Sequence, residues 1–348
     1  MGRLTGAANN FDLLRLVFAS IVCVVHAQQL SGLDELTLLT SMLSSTVAVK
    51  AFFVVSGYLI FMSFDRSSSL WSYATKRVCR IYPAYFTVVI LCACGFFFVS
   101  QLNAPQYFSG PWLKYIAANL VFMNFLKPDL PGVFEANSLQ AVNGALWTLK
   151  IEVMFYFSVP FFAFVFKRWG CARSLLVFYV LSVVYALACI ELAYRTGRPM
   201  YEELGRQLPG QLSYFLAGAF YYFYASRLKA HLASLAAAST VVLGVNFYFP
   251  LPLLEPFAIA TLVVFAATNQ YFGNFGNFGK YGDFSYGVYI LHFPIIQLLI
   301  QQGVLQSQPW QFLMFAYSLT LIGAIAMWHL VEKRFLLRAS HYVFSSAK

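Results

Sequence analysis

The stretch FDLLRLVFASIVCVVHAQQL, residues 11–30, decides the fold class of this chain. It is apolar and long enough to cross most of a bilayer, yet it carries Arg15 near its start and His26 near its end. Their spacing corresponds to three helical turns, with an offset of about 20° and a rise of roughly 16 Å. Both side chains therefore lie on one face of one helix. Because a charge inside a membrane helix is costly, this face is a candidate functional site.

Two simpler interpretations compete with that hypothesis. In the first, Arg15 pairs with Asp12 at i,i+3 and reaches the cytoplasmic interface, while His26 lies among the opposite headgroups. In the second, the segment is a signal peptide with an apolar core over 16–25 and a cleavage site at 25–27.

The composition indicates a polytopic membrane protein. Of the 348 residues, 60% are hydrophobic and 10% are charged, whereas a typical soluble domain has about 25% charged residues. We expect an all-α fold of about ten transmembrane helices, and a single transmembrane domain over 1–348 with no appended soluble domain. The predicted spans are 11–30, 44–64, 82–100, 144–166, 174–194, 210–226, 232–249, 256–272, 284–301 and 311–331.

The basic residues predict the orientation. With the N-terminus inside, the inner joints hold 15 of the 23 Lys and Arg residues and the outer joints hold five, while Arg15, Lys50 and Lys150 lie within spans. A chain with both termini inside needs an even number of spans. Cleavage of the first span as a signal peptide would leave an odd number, which counts against that interpretation. The net charge of +10 thus follows from topology and does not indicate nucleic-acid binding. Cys92-x-Cys94 lacks metal-ligand spacing, so no metal site is expected.

Two polar groups of residues suggest ligand contacts. Arg77 and Arg80 lie at i,i+3 in the basic joint 65–83 and suit a phosphorylated cytosolic ligand, although positive-inside charge also explains them. Thr148, Glu152 and Tyr156 recur every four residues along one span.

Other motifs are more ambiguous. Ser56-Gly57 is a small pair that lets a helix or a ligand approach closely, and this is a commoner role than a catalytic serine. Pro294 removes the donor to the carbonyl of Ile290, so we expect a kink beside His292. The four Gly-x-aromatic triplets of 273–283 are interpreted as a linker.

The order of these motifs resembles the membrane acyltransferase-3 family over nearly the whole chain. They are Arg15 with His26, FFVVSGYL at 52–59, Arg77-x-x-Arg80-Ile-Tyr-Pro, WTLxxExxFY at 147–156, SYGxYxLHxP at 285–294 and VEKRF at 331–335. Lys50 departs from the pattern, since many members carry an acidic or uncharged residue before the FF pair.

The resemblance implies transfer of an acyl group, usually acetyl, from cytosolic acetyl-CoA to a hydroxyl of an extracytoplasmic glycan such as O-antigen or exopolysaccharide. It implies that His26 is catalytic, that Arg15 is its companion and that Arg77 and Arg80 engage the coenzyme. We also expect Glu152 to contribute to catalysis. The remaining candidates are Lys76, Ser56 and Tyr286 for the coenzyme, and Trp147, Thr148, Tyr58 and His292 for the acceptor.

The chemistry leaves two roles open for His26. A neutral imidazole can act as the general base toward a sugar hydroxyl, or it can carry the acetyl group as a covalent relay. Arg15 could hold the coenzyme or stabilise the thioester oxyanion. The expected location is the bacterial inner membrane, with acetyl-CoA, a glycan or lipid-linked glycan and the lipid bilayer as partners.

The alternative class is a membrane transporter or flippase for a lipid-linked sugar or an anionic metabolite, which would also carry Arg, Glu and His in kinked helices. No inverted hydropathy repeat relates the two halves of the sequence, which counts against it. A hydrolase with a Gly-x-Ser-x-Gly elbow is excluded, because that motif does not occur in the sequence.

Overall fold

The computed structural model describes residues 10–268 and 282–336, and every regular element within them is helical. Short 3₁₀ segments and one π-helical turn, Trp328–Glu332, connect or extend the α-helices. The α-helices are α1 (Phe11–Ser31), α2 (Thr37–Ser41), α3 (Ser45–Asp65), α4 (Leu70–Gly95), α5 (Ala104–Tyr107), α6 (Gly110–Leu120), α7 (Trp147–Trp169), α8 (Cys171–Thr196), α9 (Pro199–Gly205), α10 (Leu208–Leu228), α11 (Leu232–Tyr248), α12 (Glu255–Thr268), α13 (Ser285–Gln301), α14 (Pro309–Met327) and α15 (Lys333–Phe335).

Seven helical stretches of the described chain are long and apolar enough to cross a membrane, judged by length and composition. The stretch Pro199–Tyr248 contains two of the ten predicted spans, 210–226 and 232–249. The shorter apolar helices α12 and α13 correspond to two more of them. The fold class is thus confirmed as all-helical for the described residues, whereas the count of about ten crossings and the N-in/C-in orientation stay predictions. The seven stretches are Phe11–Ser31, Ser45–Asp65, Leu70–Val99, Gly144–Trp169, Cys171–Thr196, Pro199–Tyr248 and Pro309–Phe335.

One predicted joint is largely helical. The segment 65–83 was expected to connect two spans, but α4 begins at Leu70 and continues through Pro83 to Gly95. The prediction began the next span at residue 82 because the preceding segment is rich in Lys and Arg, which are typical of inner joints. Arg77 and Arg80 do lie one turn apart on a helix, as predicted. The linker expected at 273–283 falls mostly outside the described residues, as does the end of the predicted span 256–272.

The chain divides into two compact units, and each is formed from separate parts of the sequence. The first unit combines Met1–Leu14, Val49–Ala74 and Ile151–Asn277. The second unit combines Arg15–Ala48, Thr75–Lys150 and Phe278–Lys348. The expectation of a single domain over 1–348 stays a prediction.

In the first unit, α3 and α10 approach closely through a reciprocal pair of glycines. A Cβ added at Gly57 would overlap the carbonyl of Phe215, and one at Gly218 would overlap the carbonyl of Val54. Neither position therefore accepts a side chain without moving a helix. The interpretation of Ser56-Gly57 as a site of close helix approach is confirmed for Gly57.

The first unit also contains a proline within a helix and a side-chain hydrogen bond that replaces the missing one. Pro160 lies inside α7 and cannot donate to the carbonyl of Tyr156, four residues earlier. The hydroxyl of Tyr73 donates to that carbonyl at 3.1 Å. The polar group that the proline leaves is thereby satisfied by a side chain from α4.

In the second unit, α13 is the central element. Gly287 on α13 allows close packing against Ala324 on α14, because a Cβ at Gly287 would lie 2.8 Å from the Cα of Ala324. On another side, the buried amide of Gln297 donates to the carbonyls of Leu139 and Ala141 and holds the loop that precedes α7. The residues on α13 are therefore fixed from both sides, and several of them are site candidates.

Candidate functional site

A buried ion cluster forms where α13 begins. Asp283 pairs through Oδ2 with the guanidiniums of both Arg15 on α1 and Arg80 on α4. Arg80 also reaches Oε2 of Glu332 at 3.3 Å. The carboxylates of Asp283 and Glu332 are each 1% exposed. Two guanidiniums and two carboxyl groups thus meet in a largely buried site, where their pairing offsets part of the cost of burying charge.

The backbone around Asp283 explains how its carboxylate is aimed. Gly282 has a φ of 127°, and a Cβ there would overlap the indole of Trp328, so this position requires glycine. Oδ1 of Asp283 accepts from the backbone N–H of Ser285, at the first turn of α13, and from the hydroxyl of Ser285. Burial by itself raises the pKa of Asp283, but Arg15 and Arg80 outweigh burial and hold this pKa below its usual range.

Glu332 enters the cluster from an irregular turn. It is the last residue of the π-helical turn Trp328–Glu332, an uncommon geometry that often occurs at functional sites. Its Oε2 pairs with Arg80, while its buried Oε1 has no hydrogen-bond partner among the residues that the structure describes. Glu332 was interpreted from the sequence only as part of the VEKRF motif, whereas the structure places its side chain inside the protein.

The second polar contact between α1 and α13 joins two histidines. Nδ1 of His26 lies 2.9 Å from Nε2 of His292. His292 is fully buried, and its Nδ1 lies 3.2 Å from the carbonyl of Val288. His26 is half-buried, and its ring packs edge-on against Phe293. The predicted catalytic histidine therefore has one nitrogen engaged by another imidazole.

The kink expected beside His292 stays a prediction, but the carbonyl that Pro294 leaves without a helical donor is occupied. Pro294 lies inside α13 and leaves the carbonyl of Ile290 without its helical donor. The side-chain amide of Asn143 donates to this carbonyl at 2.8 Å. Oδ1 of Asn143 accepts from the backbone N–H of Ala145. One loop residue thus links the start of α7 to the irregular part of α13.

The two contacts between α1 and α13 show the relative direction of these segments. Arg15 meets Asp283 and His26 meets His292, so both chains advance the same way. The predicted topology requires this parallel arrangement for its first and ninth spans. The contacts lie about 16 Å apart along α1, which makes the ion cluster and the histidine pair two levels of one helix contact.

The residues predicted to hold the coenzyme have different positions. Arg80 belongs to the ion cluster, while Lys76 and Arg77 are half-buried on the preceding turn of α4. Tyr286 is buried, and its hydroxyl donates to the carbonyl of Ile81 at 3.0 Å. The structure therefore brings Arg80 and Tyr286 together at the start of α13. Coenzyme binding by Arg77, Arg80, Lys76 and Tyr286 stays a prediction.

Two of the predicted acceptor residues begin α7. Thr148 is buried, and its hydroxyl lies 2.6 Å from the hydroxyl of Tyr289 on α13. Trp147 is half-buried at the first position of the helix. Their role in acceptor binding stays a prediction.

The other predicted site residues belong to the first unit. Oε1 of Glu152 accepts from the hydroxyl of Tyr156 at 2.7 Å and lies 3.5 Å from the hydroxyl of Ser56. The predicted polar stripe on α7 is thus present as a hydrogen-bonded pair. Tyr58 is buried against Phe11 and Tyr222. The roles assigned to Ser56, Tyr58 and Glu152 stay predictions.

Sequence reasoning missed two residues that build this site. Asp283 lies at the end of the segment interpreted as a linker and was given no role, although it is an acid directly before an apolar helix. Asn143 was given no role either, and its contact depends on Pro294, 151 positions later. Only the fold shows that these residues serve Arg15 and His292.

The comparisons with known proteins identify the family of the chain. A family model described as an acyltransferase domain matches residues 9–329. A curated relative from Shigella phage Sf6, named O-acetyl transferase, is 29% identical over 96% of this chain and 97% of its own length. Nodulation protein 10 of Rhizobium leguminosarum bv. viciae is 27% identical over 94% of this chain and 93% of its own.

No solved structure matches the chain. The family match extends from just before α1 to the π-helical turn after α14, so it includes Arg15, His26, Asp283 and His292. On this evidence, the chain is a multi-pass membrane protein that belongs to the acyltransferase-3 family.

Proposed function

We propose that this protein is an acetyl-CoA-dependent O-acetyltransferase of the bacterial inner membrane, which modifies a hydroxyl of an extracytoplasmic glycan such as O-antigen or exopolysaccharide. The family membership and the relative named O-acetyl transferase support acyl transfer. The observation that carries the proposal is His26, a half-buried imidazole with Nδ1 held by His292. Its Nε2 has no hydrogen-bond partner among residues 10–268 and 282–336.

The proposed reaction uses His26 as a general base. Nε2 of His26 takes the proton of the sugar hydroxyl while the hydroxyl oxygen attacks the thioester carbonyl of acetyl-CoA. The C–O bond forms, the C–S bond breaks, and the proton on Nε2 passes to the leaving thiolate of coenzyme A. Each turnover thus returns His26 to its neutral form and yields an acetyl ester and a free thiol.

The proposed donor site uses the basic turn of α4. Lys76 and Arg77 are half-buried cations, and a coenzyme A molecule presents several phosphate oxygens that suit such partners. Arg80 follows one turn later and is bound to Asp283 and Glu332. We assign direct phosphate contact to Lys76 and Arg77 because of their charge and their place on α4, and we assign to Arg80 the task of holding α4 against α13.

Arg15 has a positioning role in this proposal. Its ion pair with Asp283 fixes α1 relative to α13 at one level, and His26 contacts His292 at the next. Since a small displacement of a reacting group lowers the rate strongly, this pairing preserves the geometry of the base. Trp147 and Thr148 remain the proposed acceptor residues at the start of α7, and Glu152 remains a proposed contributor to catalysis.

The test compares surface polysaccharides of the host by mass spectrometry. The strains are the wild type, a deletion, and the deletion complemented with His26→Ala or with His231→Ala. His231 is exposed in a turn before α11 and serves as the matched control. We expect the acetyl increment to disappear in the deletion and in His26→Ala, with the glycan still exported, and to be retained in His231→Ala.

Two results would contradict the proposal. Loss of the whole glycan from the surface in the deletion would favour the transporter alternative. Normal acetylation by His26→Ala at a normal protein level would exclude His26 as the base. Hydrolysis or transfer from acetyl-CoA by purified wild-type protein in liposomes separates an enzyme from a transporter directly.

A further inference from the structure

We infer that His292 is a positioning residue that fixes the tautomer of His26, so that the lone pair of His26 Nε2 is the reactive one. This inference rests on the proposed function for its catalytic meaning. The contacts that carry it involve α1 and α13 of the second unit. They form a chain from the carbonyl of Val288 through His292 to His26.

The two imidazoles meet edge to edge. Their planes differ by 25°, and their centroids are 5.1 Å apart while the facing nitrogens are 2.9 Å apart. The distance between the centroids exceeds the distance between the nitrogens by about two ring radii. Both nitrogens therefore lie on the line between the centroids, so the two rings lie nearly in one plane. The nitrogen lone pair of one ring therefore points at the N–H of the other, as a hydrogen bond requires.

The direction of this hydrogen bond follows from the far side of His292. The carbonyl of Val288 only accepts, so Nδ1 of His292 must carry the hydrogen. A fully buried imidazole is costly to charge, hence His292 is neutral and its Nε2 is an acceptor. The reverse arrangement would direct the bare Nδ1 lone pair at the carbonyl oxygen of Val288, where two acceptors would repel each other.

His26 must then donate from Nδ1. In neutral His26 this leaves Nε2 without a hydrogen, and Nε2 is the atom with no partner among the described residues. Phe293 packs with its ring edge-on at 5.6 Å from His26 and restricts rotation of the imidazole. Nδ1 of His26 thereby donates to His292, and Nε2 of His26 is left as the nitrogen that can act as a base.

This inference changes the role given to His292. The sequence interpretation placed His292 among the acceptor-binding residues, whereas the structure engages both of its nitrogens with protein atoms. His292 acts through His26 in our proposal and does not need to touch the glycan.

The test measures the tautomer directly. The full-length protein labelled with ¹⁵N-histidine and held in lipid nanodiscs is studied by NMR, and His26→Asn is used only to assign the His26 signals. We expect wild-type His26 to carry its hydrogen on Nδ1, with an unprotonated Nε2. In His292→Leu, which removes the acceptor, the His26 signals should shift toward the form protonated on Nε2.

Activity provides the second measurement. We expect kcat to fall by at least roughly tenfold in His292→Leu while the KM for acetyl-CoA stays unchanged, because the base is misoriented and the donor site is intact. His292→Gln should retain more activity, since its amide oxygen can accept from His26 Nδ1. His231→Gln, at an exposed position, should change neither the His26 signals nor kcat.

The outcomes distinguish this inference from the proposed function. If wild-type His26 is found protonated on Nε2, the inference is overturned even when acetyl transfer is observed. This measurement uses the wild-type protein alone and does not depend on the folding of a variant. An unchanged His26 tautomer in a folded His292→Leu protein overturns it as well. If the tautomers follow the expectation but the protein transfers no acetyl group, the proposed function fails and the histidine pair stands.

Discussion

The side-chain amide of Asn143 donates at 2.8 Å to the carbonyl of Ile290, which is the carbonyl that Pro294 leaves without a helical donor. Asn143 is 4% exposed, so no solvent can replace this donor easily. The turn of α13 that carries His292 therefore depends on a loop residue for one of its hydrogen bonds. Substitution of Asn143, which is distant from both histidines in the sequence, should disturb the contact between His26 and His292.

We expect Asn143→Ala to lower stability by about 1–3 kcal/mol, because it leaves a buried carbonyl unsatisfied. Asn143→Asp keeps the acceptor for Ala145 but loses the donor, so it should lose a similar amount. Thermal unfolding in detergent measures both variants, and Gln140→Ala at an exposed loop position is the control. Adding Pro294→Ala to Asn143→Ala restores a backbone N–H and should recover part of the loss; no recovery would count against this account.

The ion cluster predicts an order of sensitivity. Asp283→Asn should destabilise by about 3–5 kcal/mol, because it leaves two buried guanidiniums without their shared anion. Glu332→Gln should cost less, since Glu332 contacts a single guanidinium at 3.3 Å. The exposed pair Arg206–Glu203 gives a control, for which Glu203→Gln should change stability by less than about 1 kcal/mol. An equal loss in all three would refute the order.

The same carboxylate predicts a response to acid. The native pKa of Asp283 lies below its unfolded value of about 4, so its contribution to stability is complete above that value and is lost as the pH falls through the native pKa. The stability difference between wild type and Asp283→Asn should thus be constant near neutral pH and shrink between about pH 4 and pH 2. A difference that grows with acidification would show the opposite sign.

The basic turn of α4 predicts separable kinetic effects. Arg77→Gln should raise the KM for acetyl-CoA severalfold, whereas Arg80→Gln should mainly lower stability and the amount of folded protein, because Arg80 holds Asp283 and Glu332. Steady-state kinetics in liposomes and thermal unfolding distinguish these results. Arg173→Gln, an exposed residue of another predicted inner joint, is the matched control. If Arg77→Gln leaves KM unchanged, the donor site is not at this turn.

The helix contact in the first unit predicts a packing defect. Gly57→Ala and Gly218→Ala each place a methyl group on a backbone carbonyl, so each should destabilise by about 1–3 kcal/mol or more. Gly244→Ala on α11 meets nothing within 4 Å and should be neutral or slightly stabilising. Folded yield and thermal unfolding measure all three, and tolerance of both Gly57→Ala and Gly218→Ala would argue against the close approach.

Hydropathy was sufficient to predict the long apolar helices, because membrane spans are long and apolar whatever their partners are. The helix face shared by Arg15 and His26 was also predictable, since it depends on spacing within one element. The start of α4 was not predicted, because Lys76, Arg77 and Arg80 indicated a polar joint, whereas all three lie within the helix.

The partners of the site residues were beyond the reach of local patterns. The i,i+3 spacing suggested Asp12 for Arg15, yet the structure pairs Arg15 with Asp283, which is 268 positions away. Similarly, His292 was assigned to the acceptor because a mid-helix histidine resembles a ligand contact, and its neighbour His26 comes from the other end of the chain. Such pairings depend on tertiary packing, which a single sequence does not reveal.

The separation of Arg15 and Asp283 has a consequence for biosynthesis. At ribosomal rates of about 5–20 residues per second, the 268 residues between them take roughly 15–50 s to appear. Helix α1 must therefore leave the ribosome and meet the insertion machinery long before its native anion exists. We expect α1 to stay at the edge of the bilayer or beside the translocon during that interval. Helix α1 would pack in its native position only after α13 has been synthesised. The second unit would therefore be completed only when the last fifth of the chain has been made.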